Sequence, residues 1–401
     1  VTRWWLALGI LTWLLADGGW ANPVPLASPP APPPASPSWP STPSRSCADN
    51  PDAPGHAGER TKCQPAAAAA LTRGINITAW FRFPASRDPA ALAAYLSDQA
   101  LADIRTAGFD FVRLAVDPAV AETQRPVLIA AIKRIQRQGL TVVISPQPHD
   151  WHLETDPADR ERLRTFWQTL APALRPLDPA RTVPEVLNEP VFPQDPTGWA
   201  TLQHQILTVI RQALPNVTVV LTGQDWGSIG GLLALTPEAD PNVLYSFHFY
   251  DPAELTSLAA YRPGLDRAAL ARLPFPVIDR PRCDATADGT ADSATRDLMR
   301  YYCALGWDVP RIAATIDQAA TWGRLHHVRL LAGEFGASTA LNAPARTAWL
   351  KTVRAAFEAR GIGWALWGYD DVMGLAVSRP PSRRPALDRA VLYALHMTTR
   401  M

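Results

Sequence analysis

The sequence predicts an α/β fold, a (β/α)8 barrel of eight parallel strands, on three observations. From Leu71 onward, short apolar runs alternate with longer amphipathic stretches, the pattern of repeated βα units. Eight such runs can be counted, the number a closed barrel requires. Polar residues gather at the C-terminal ends of those runs, the face on which barrels build their sites.

The elements follow in chain order. Residues 74–78 read as the first strand, followed by a helix over 91–106. The second strand covers 109–114, with a helix over 126–138 that Gly139 closes. Strand three spans 140–145 and its helix 160–174; strand four spans 183–187 and its helix 199–213. Strand five, 217–222, is followed by a short helix at 229–235, and strand six covers 243–247. A helix over 311–322 leads into strand seven at 328–332. Strand eight covers 362–367 and a closing helix 386–395. One connection breaks the rhythm: 251–309 is far longer than a usual βα loop and holds a helical stretch at 295–305. On the catalytic face it is expected to wall a substrate groove.

Ahead of the barrel, Arg3, an apolar run over 4–15 and small residues up to Ala21 have signal-peptide form. The run is too short for a comfortable membrane span, so cleavage near Ala21 is expected, with an uncleaved anchor as the alternative. A tract rich in Pro, Ala and Ser opens a linker over 22–68, and the barrel domain is placed at 69–401. The chain is therefore expected to be secreted or periplasmic. Its four cysteines pair by proximity as Cys47–Cys63 and Cys283–Cys303.

Lys and Arg number 38 against 37 Asp and Glu, a formal charge of +1. That balance argues against a nucleic-acid partner and suits a neutral substrate. No P-loop, Rossmann glycine pattern, G-x-S-x-G elbow or H-E-x-x-H is present, and no metal or cofactor is expected.

Two glutamates carry the functional reading. Glu189 ends the run Glu185-Val186-Leu187-Asn188-Glu189-Pro190, and Glu334 lies in Leu331-Ala332-Gly333-Glu334-Phe335-Gly336. Paired carboxylates on rigid strand ends are what retaining glycoside hydrolysis uses, one protonating the leaving oxygen while the other attacks the sugar. Arg113, Asn188, His248, Tyr250 and Trp367 end strands on the same face.

These segments, with Arg73-Gly74-Ile75-Asn76, Phe109 to Leu114, Phe247 to Tyr250 and Trp364 to Trp367, resemble glycoside hydrolase family 5 and its wider clan of (β/α)8 barrels. The resemblance spans 74–367 in order. It implies Glu189 as acid/base, Glu334 as nucleophile, and Asn188 as a partner of the sugar 2-hydroxyl. It further implies that Arg113 holds Glu334 ionised, that Tyr250 donates to it, that His248 lines the neighbouring subsite and that Trp367 floors the sugar. With Arg113 lowering Glu334, Glu189 is expected to be the protonated member.

One departure stands out. The family usually places a histidine directly after strand three, where this sequence has Ser145-Pro146-Gln147-Pro148-His149-Asp150-Trp151-His152. The simplest alignment puts Gln147 there, with His149 or His152 as substitutes on a shifted loop. Trp80, Trp151 and Trp226 follow strands and are candidate sugar platforms. Asp370 and Asp371 read either as substrate contacts or as solvated loop charges.

The expected function is a monomeric, endo-acting retaining β-glycanase on β-1,4-glucan. The alternatives are the same chemistry on mannan, β-1,3-glucan or a bacterial exopolysaccharide, an exo-acting enzyme, a non-catalytic sugar-binding barrel, or an envelope-tethered component. Its partner is a poly- or oligosaccharide.

Overall fold

Side chains alternate along a strand, so the same face returns every second residue. In the computed structural model, which describes residues 71–377 and 385–397, that alternation builds the barrel from the inside. The signal segment, the linker and Cys47–Cys63 lie outside the described residues. The strands are β1 (Arg73–Phe81), β2 (Phe111–Val116), β3 (Thr141–Pro146), β4 (Thr182–Pro184), β5 (Val219–Thr222), β6 (Val243–Phe249), β7 (Leu330–Phe335) and β8 (Gly363–Leu366). They pair in parallel in the order β4-β3-β2-β1-β8-β7-β6-β5. A bridge between Glu185 and Val220 joins the two ends and closes the ring.

The lower interior is an apolar plug. Leu71, Phe111, Val143, Val183, Val220, Leu244, Leu331 and Ala365 form one buried cluster, one residue for each strand of the ring. Phe111 reaches across to β1, where a Cβ on Gly74 would lie 2.2 Å from its ring. Only glycine fits there. Two residues further along, the interior turns polar, with Arg113, Ser145, Glu185, Thr222 and Ser246 all buried. The site is assembled on this second layer.

Helices lie outside the ring, most of them with an apolar face buried. They are α1 (Pro89–Ala94), α2 (Asp98–Ala107), α3 (Arg125–Arg137), α4 (Pro157–Leu174), α5 (Pro196–Ala213) and α6 (Ile229–Leu233). They continue as α7 (Arg280–Asp288), α8 (Ser293–Leu305), α9 (Val309–Leu325), α10 (Ala343–Glu358) and α11 (Arg389–Ala394). The single helix expected over 91–106 is broken, because Ser97 leaves helical geometry and its hydroxyl caps Ala100 N–H. Helix α10 was not anticipated, although Asn342 caps it and Trp349, Val353 and Phe357 repeat every fourth residue into the core. At the expected closing helix, Ala386 and Leu387 instead pair with Ala376 and Val377, and Asp388 caps the shorter α11.

The long connection after β6 folds into α7 and α8, tied by the expected Cys283–Cys303 disulfide at a Cα separation of 5.7 Å. Its base is anchored beside the site, where Thr256 Oγ1 donates to the carbonyl of Tyr250 at 2.5 Å. No helix among the described residues is long and apolar enough to cross a membrane.

Candidate active site

Arg113 sits two residues above Phe111 on β2 and is completely buried. A guanidinium has five N–H donors, and here each one has an acceptor. Nε and Nη2 donate in a fork to Glu185 at 2.7 and 2.8 Å. Nη1 donates to Asn76 Oδ1 at 3.0 Å and to Glu334 Oε1 at 2.5 Å, and Nη2 to Asn188 Oδ1 at 2.7 Å. Four strand ends are thereby held by one side chain. The Asn76 amide extends the network to the carbonyls of Gly333 and Leu366 on β7 and β8.

Glu334 owes its direction to an irregularity in β7. Phe247 pairs with Ala332 but His248 pairs with Glu334, so Gly333 is an extra residue on that strand. A bulge of this kind re-aims the side chain that follows it. Gly333 is required because a Cβ there would meet Ser246 Oγ at 2.4 Å. Strand seven also begins and ends later than the sequence suggests, so Glu334 lies within the strand rather than beyond it.

Glu189 is built differently. It follows β4 with φ of 42°, in the left-handed region, a conformation that costs a non-glycine residue roughly 1–2 kcal/mol. Its side chain keeps 29% of its surface exposed, against 4% for Glu334. His248 Nδ1 lies 2.9 Å from Glu189 Oε1 and 3.5 Å from Glu334 Oε2. Tyr250 Oη donates to Glu334 Oε2 at 2.9 Å. One oxygen of each carboxylate and a ring nitrogen of His248 all lie within 4.8 Å of one another.

The electrostatics correct the expected order of the two acids. Burial raises the Glu334 pKa, and the positive fields of His248 and Arg113 do not overcome it. Arg113 is weaker here than expected because two of its five donors, as a fork, belong to Glu185. Burial also pushes Glu189 upward, but the hydrogen bond and charge of His248, with the fields of Arg82 and Arg113, together outweigh it and the net shift is down. Desolvation opposes a charge on His248, yet Glu334 and Glu189 hold its pKa up. Burial beside Glu334 keeps the Tyr250 phenol protonated, well above its ordinary value. These neighbours titrate as one unit rather than as separate groups.

The other expected residues divide. Asn188 is buried with its carbonyl taken by Arg113, which orients its amide. Trp367 is buried where β8 ends, its backbone N–H donating to Phe335 O at 2.7 Å. Gln147 follows β3 and accepts a hydrogen bond from Arg82. His149 is exposed, and its ring contacts the Arg82 carbonyl and Phe83 rather than either glutamate. Trp80 is not a platform: it is fully buried, donates to Leu92 O at 2.7 Å and stacks on Phe81 and Tyr95. Trp151 is half-buried against the core. Trp226 is 54% exposed, and its backbone N–H donates to the carbonyl of Pro190, next to Glu189.

Three participants escaped the sequence reading: Glu185, Asn76 and Arg82. The signal for the first was available, since Val183 and Glu185 share a face by alternation. Glu189, His248 and Glu334 also have the spacing of a cation site among the described residues. Arg113, bonded to Glu334, sets a fixed positive charge against one.

Endoglucanase 3 of Fibrobacter succinogenes is 22% identical over 329 residues, covering 75% of this chain but 49% of its own length. The chain thus spans about half of that relative. Endoglucanase C of Acetivibrio thermocellus is 22% identical over 316 residues, 74% of this chain and 90% of its own. In three dimensions, endoglucanase Cel5A from Thermotoga maritima shares the fold, with a TM-score of 0.66 at 21% identity over 83% of this chain and 100% of that one. The family model for cellulase, glycosyl hydrolase family 5, matches residues 73–371, from the first residue of β1 to the loop beyond β8. The chain belongs to glycosyl hydrolase family 5.

Proposed function

We propose that the chain is a retaining, endo-acting β-glycoside hydrolase that cleaves β-1,4-glucan, with Glu334 as nucleophile and Glu189 as acid/base. The observation that carries this is the close approach of the two carboxylates, bridged by His248, with the three donor atoms within 4.8 Å of each other. Retaining enzymes hold their carboxyl groups about 5–5.5 Å apart, whereas inverting ones leave room for a water at about 6.5–9.5 Å. Both relatives described above bear the name endoglucanase.

In the first step Glu334 attacks the anomeric carbon, while Glu189 gives its proton to the departing glycosidic oxygen. Glu189 then takes a proton from water, whose oxygen releases the sugar from Glu334. Arg113 and Tyr250 hold the two Glu334 oxygens in a fixed orientation. The Asn188 amide, its carbonyl already engaged, offers its N–H groups to the 2-hydroxyl. Glu189 must be protonated to begin. A sugar laid over its exposed part removes water from it, which favours the neutral form and opposes the lowering by His248.

The exported form is read from the N-terminal pattern, with cleavage after Ala21, a tether over 22–68 and a monomeric barrel over 69–401. N-terminal sequencing of the mature protein tests that part. Hydrolysis of soluble β-glucans and mannans, with products sized and their first-formed anomer recorded, tests the activity. Short oligomers of retained configuration are expected from β-1,4-glucan and none from Glu334→Gln. Inverted products would overturn the mechanism, and cleavage confined to mannan would overturn the substrate.

A further inference from the structure

The long connection after β6 carries a cavity of its own. It has a volume of about 540 Å³ and is lined by Arg262, Ser293, Ala294, Asp297, Leu298 and Tyr301. Small-molecule pockets hold roughly 300–1,000 Å³. All but Arg262 come from α8, where Ser293, Asp297 and Tyr301 recur every fourth residue, as do Ala294 and Leu298. That spacing gathers them on one face of the helix.

The walls are fixed. Thr295 Oγ1 on α8 accepts from the Asp266 N–H at 2.8 Å, and the Cys283–Cys303 disulfide holds the far end of that helix. The loop that brings Arg262 runs through Leu258 and Ala259, both in the left-handed region at φ of 52° and 50°. Arg267 holds this strained turn: Nη1 donates to the carbonyls of Leu258 and Ala259, and Nη2 to that of Arg262 at 2.5 Å. Backbone strain that the surroundings hold in this way gathers at ligand sites.

The lining is open to a ligand. Tyr301 is 55% exposed, and Arg262, Ser293 and Asp297 are exposed as well. Among the described residues none of these four side chains takes part in a hydrogen bond or ion pair. Arg262 and Asp297 thus line one cavity without pairing. An anion would meet the Asp297 carboxylate there and a cation the Arg262 guanidinium, whereas a neutral hydroxyl donates to the first and accepts from the second. The Tyr301 ring adds an apolar face with a polar tip, a surface that suits a pyranose ring.

The connection also starts at the cleft, since Tyr250 donates to Glu334 and is held through its carbonyl by Thr256. Resting on the reading of that cleft as a β-1,4-glucanase site, we infer that the cavity is a second sugar-binding site, which holds a distant stretch of the glucan being cut. Holding one polymer at two places raises its effective concentration at the acids, a gain that a short substrate cannot use.

Affinity electrophoresis of the full chain through hydroxyethyl cellulose tests this without turnover when Glu334→Gln is the background. Adding Tyr301→Ala, or Asp297→Ala as a second variant, is expected to weaken retention about five- to tenfold. Hydrolysis of an aryl β-cellobioside, which is too short to reach both places, is measured with Glu334 intact. There Tyr301→Ala should match the wild type in kcat and KM. Equal retention with and without Tyr301 and Asp297, or a parallel loss on the aryl glycoside, would overturn the inference. Retention that depends on Tyr301 in a chain that cleaves neither glucan nor aryl glycoside would support the second site and remove the glycosidase reading.

Discussion

The two layers of the barrel interior come from the same strands, two residues apart, and do opposite work. The lower layer is a plug of eight apolar side chains whose only demand is volume. In the upper layer the charged groups depend on partners: Arg113 touches Glu185, Asn76, Glu334 and Asn188 at once. The plug gains stability from burial, whereas the polar layer gives up hydration and recovers it only with its network complete. Substitutions in the plug should therefore cost stability and leave catalysis intact, whereas those in the polar layer should cost catalysis and, where a buried ion pair is broken, stability as well.

The largest separation is expected at the paired acids. Glu334→Gln and Glu189→Gln should each lower kcat by about a thousandfold or more while the melting temperature stays near wild type. Turnover and calorimetry on the same preparations measure both. Glu185→Gln comes next and should do both kinds of damage. It breaks a buried ion pair, at a cost of about 3–5 kcal/mol in denaturant unfolding, and frees Arg113 to draw Glu334 downward. Full activity with unchanged stability would show that the fork to Glu185 is dispensable.

Phe111→Ala probes the plug. Removing the ring that covers Gly74 leaves a cavity and should cost about 3–5 kcal/mol. The folded fraction should keep its wild-type kcat, and a loss of kcat at full folding would mean that the layers are not independent.

The smallest effect concerns Asp371, beyond β8. Burial raises its pKa from the ordinary 3.8 to about 6, and its oxygens are held by Met373 N–H and Thr78. The folded protein thus binds a proton more tightly than the unfolded chain does. Stability from this group is present below the unfolded value and is lost as pH rises toward about 6. Asp371→Asn should flatten that decline in urea titrations between pH about 4 and about 7. A slope identical to wild type would remove Asp371 as its source.

The eight strands were legible because burial on both faces of a parallel sheet produces short apolar runs that need no tertiary information. Helix α10 was missed even though its every-fourth-residue pattern and cap are present. Asn342 with Pro344 resembles a loop until the following turns are counted. Glu189 and Glu334 were legible as apolar runs ending in a carboxylate, and His248 and Tyr250 as polar residues ending the sixth strand. Trp80 misled because following a strand does not say which way a ring points, and this one faces the helices.

By itself the sequence determined the barrel, the family and the identity of the two paired acids, since each follows from local pattern. Tertiary structure alone decided their electrostatics. Whether Arg113 serves Glu334 depends on Glu185, 72 positions away in the chain, taking two of its donors. Whether Glu334 faces inward depends on a bulge defined by the register of two strands. Charge is long-ranged and register is relational, so neither is written in any one segment.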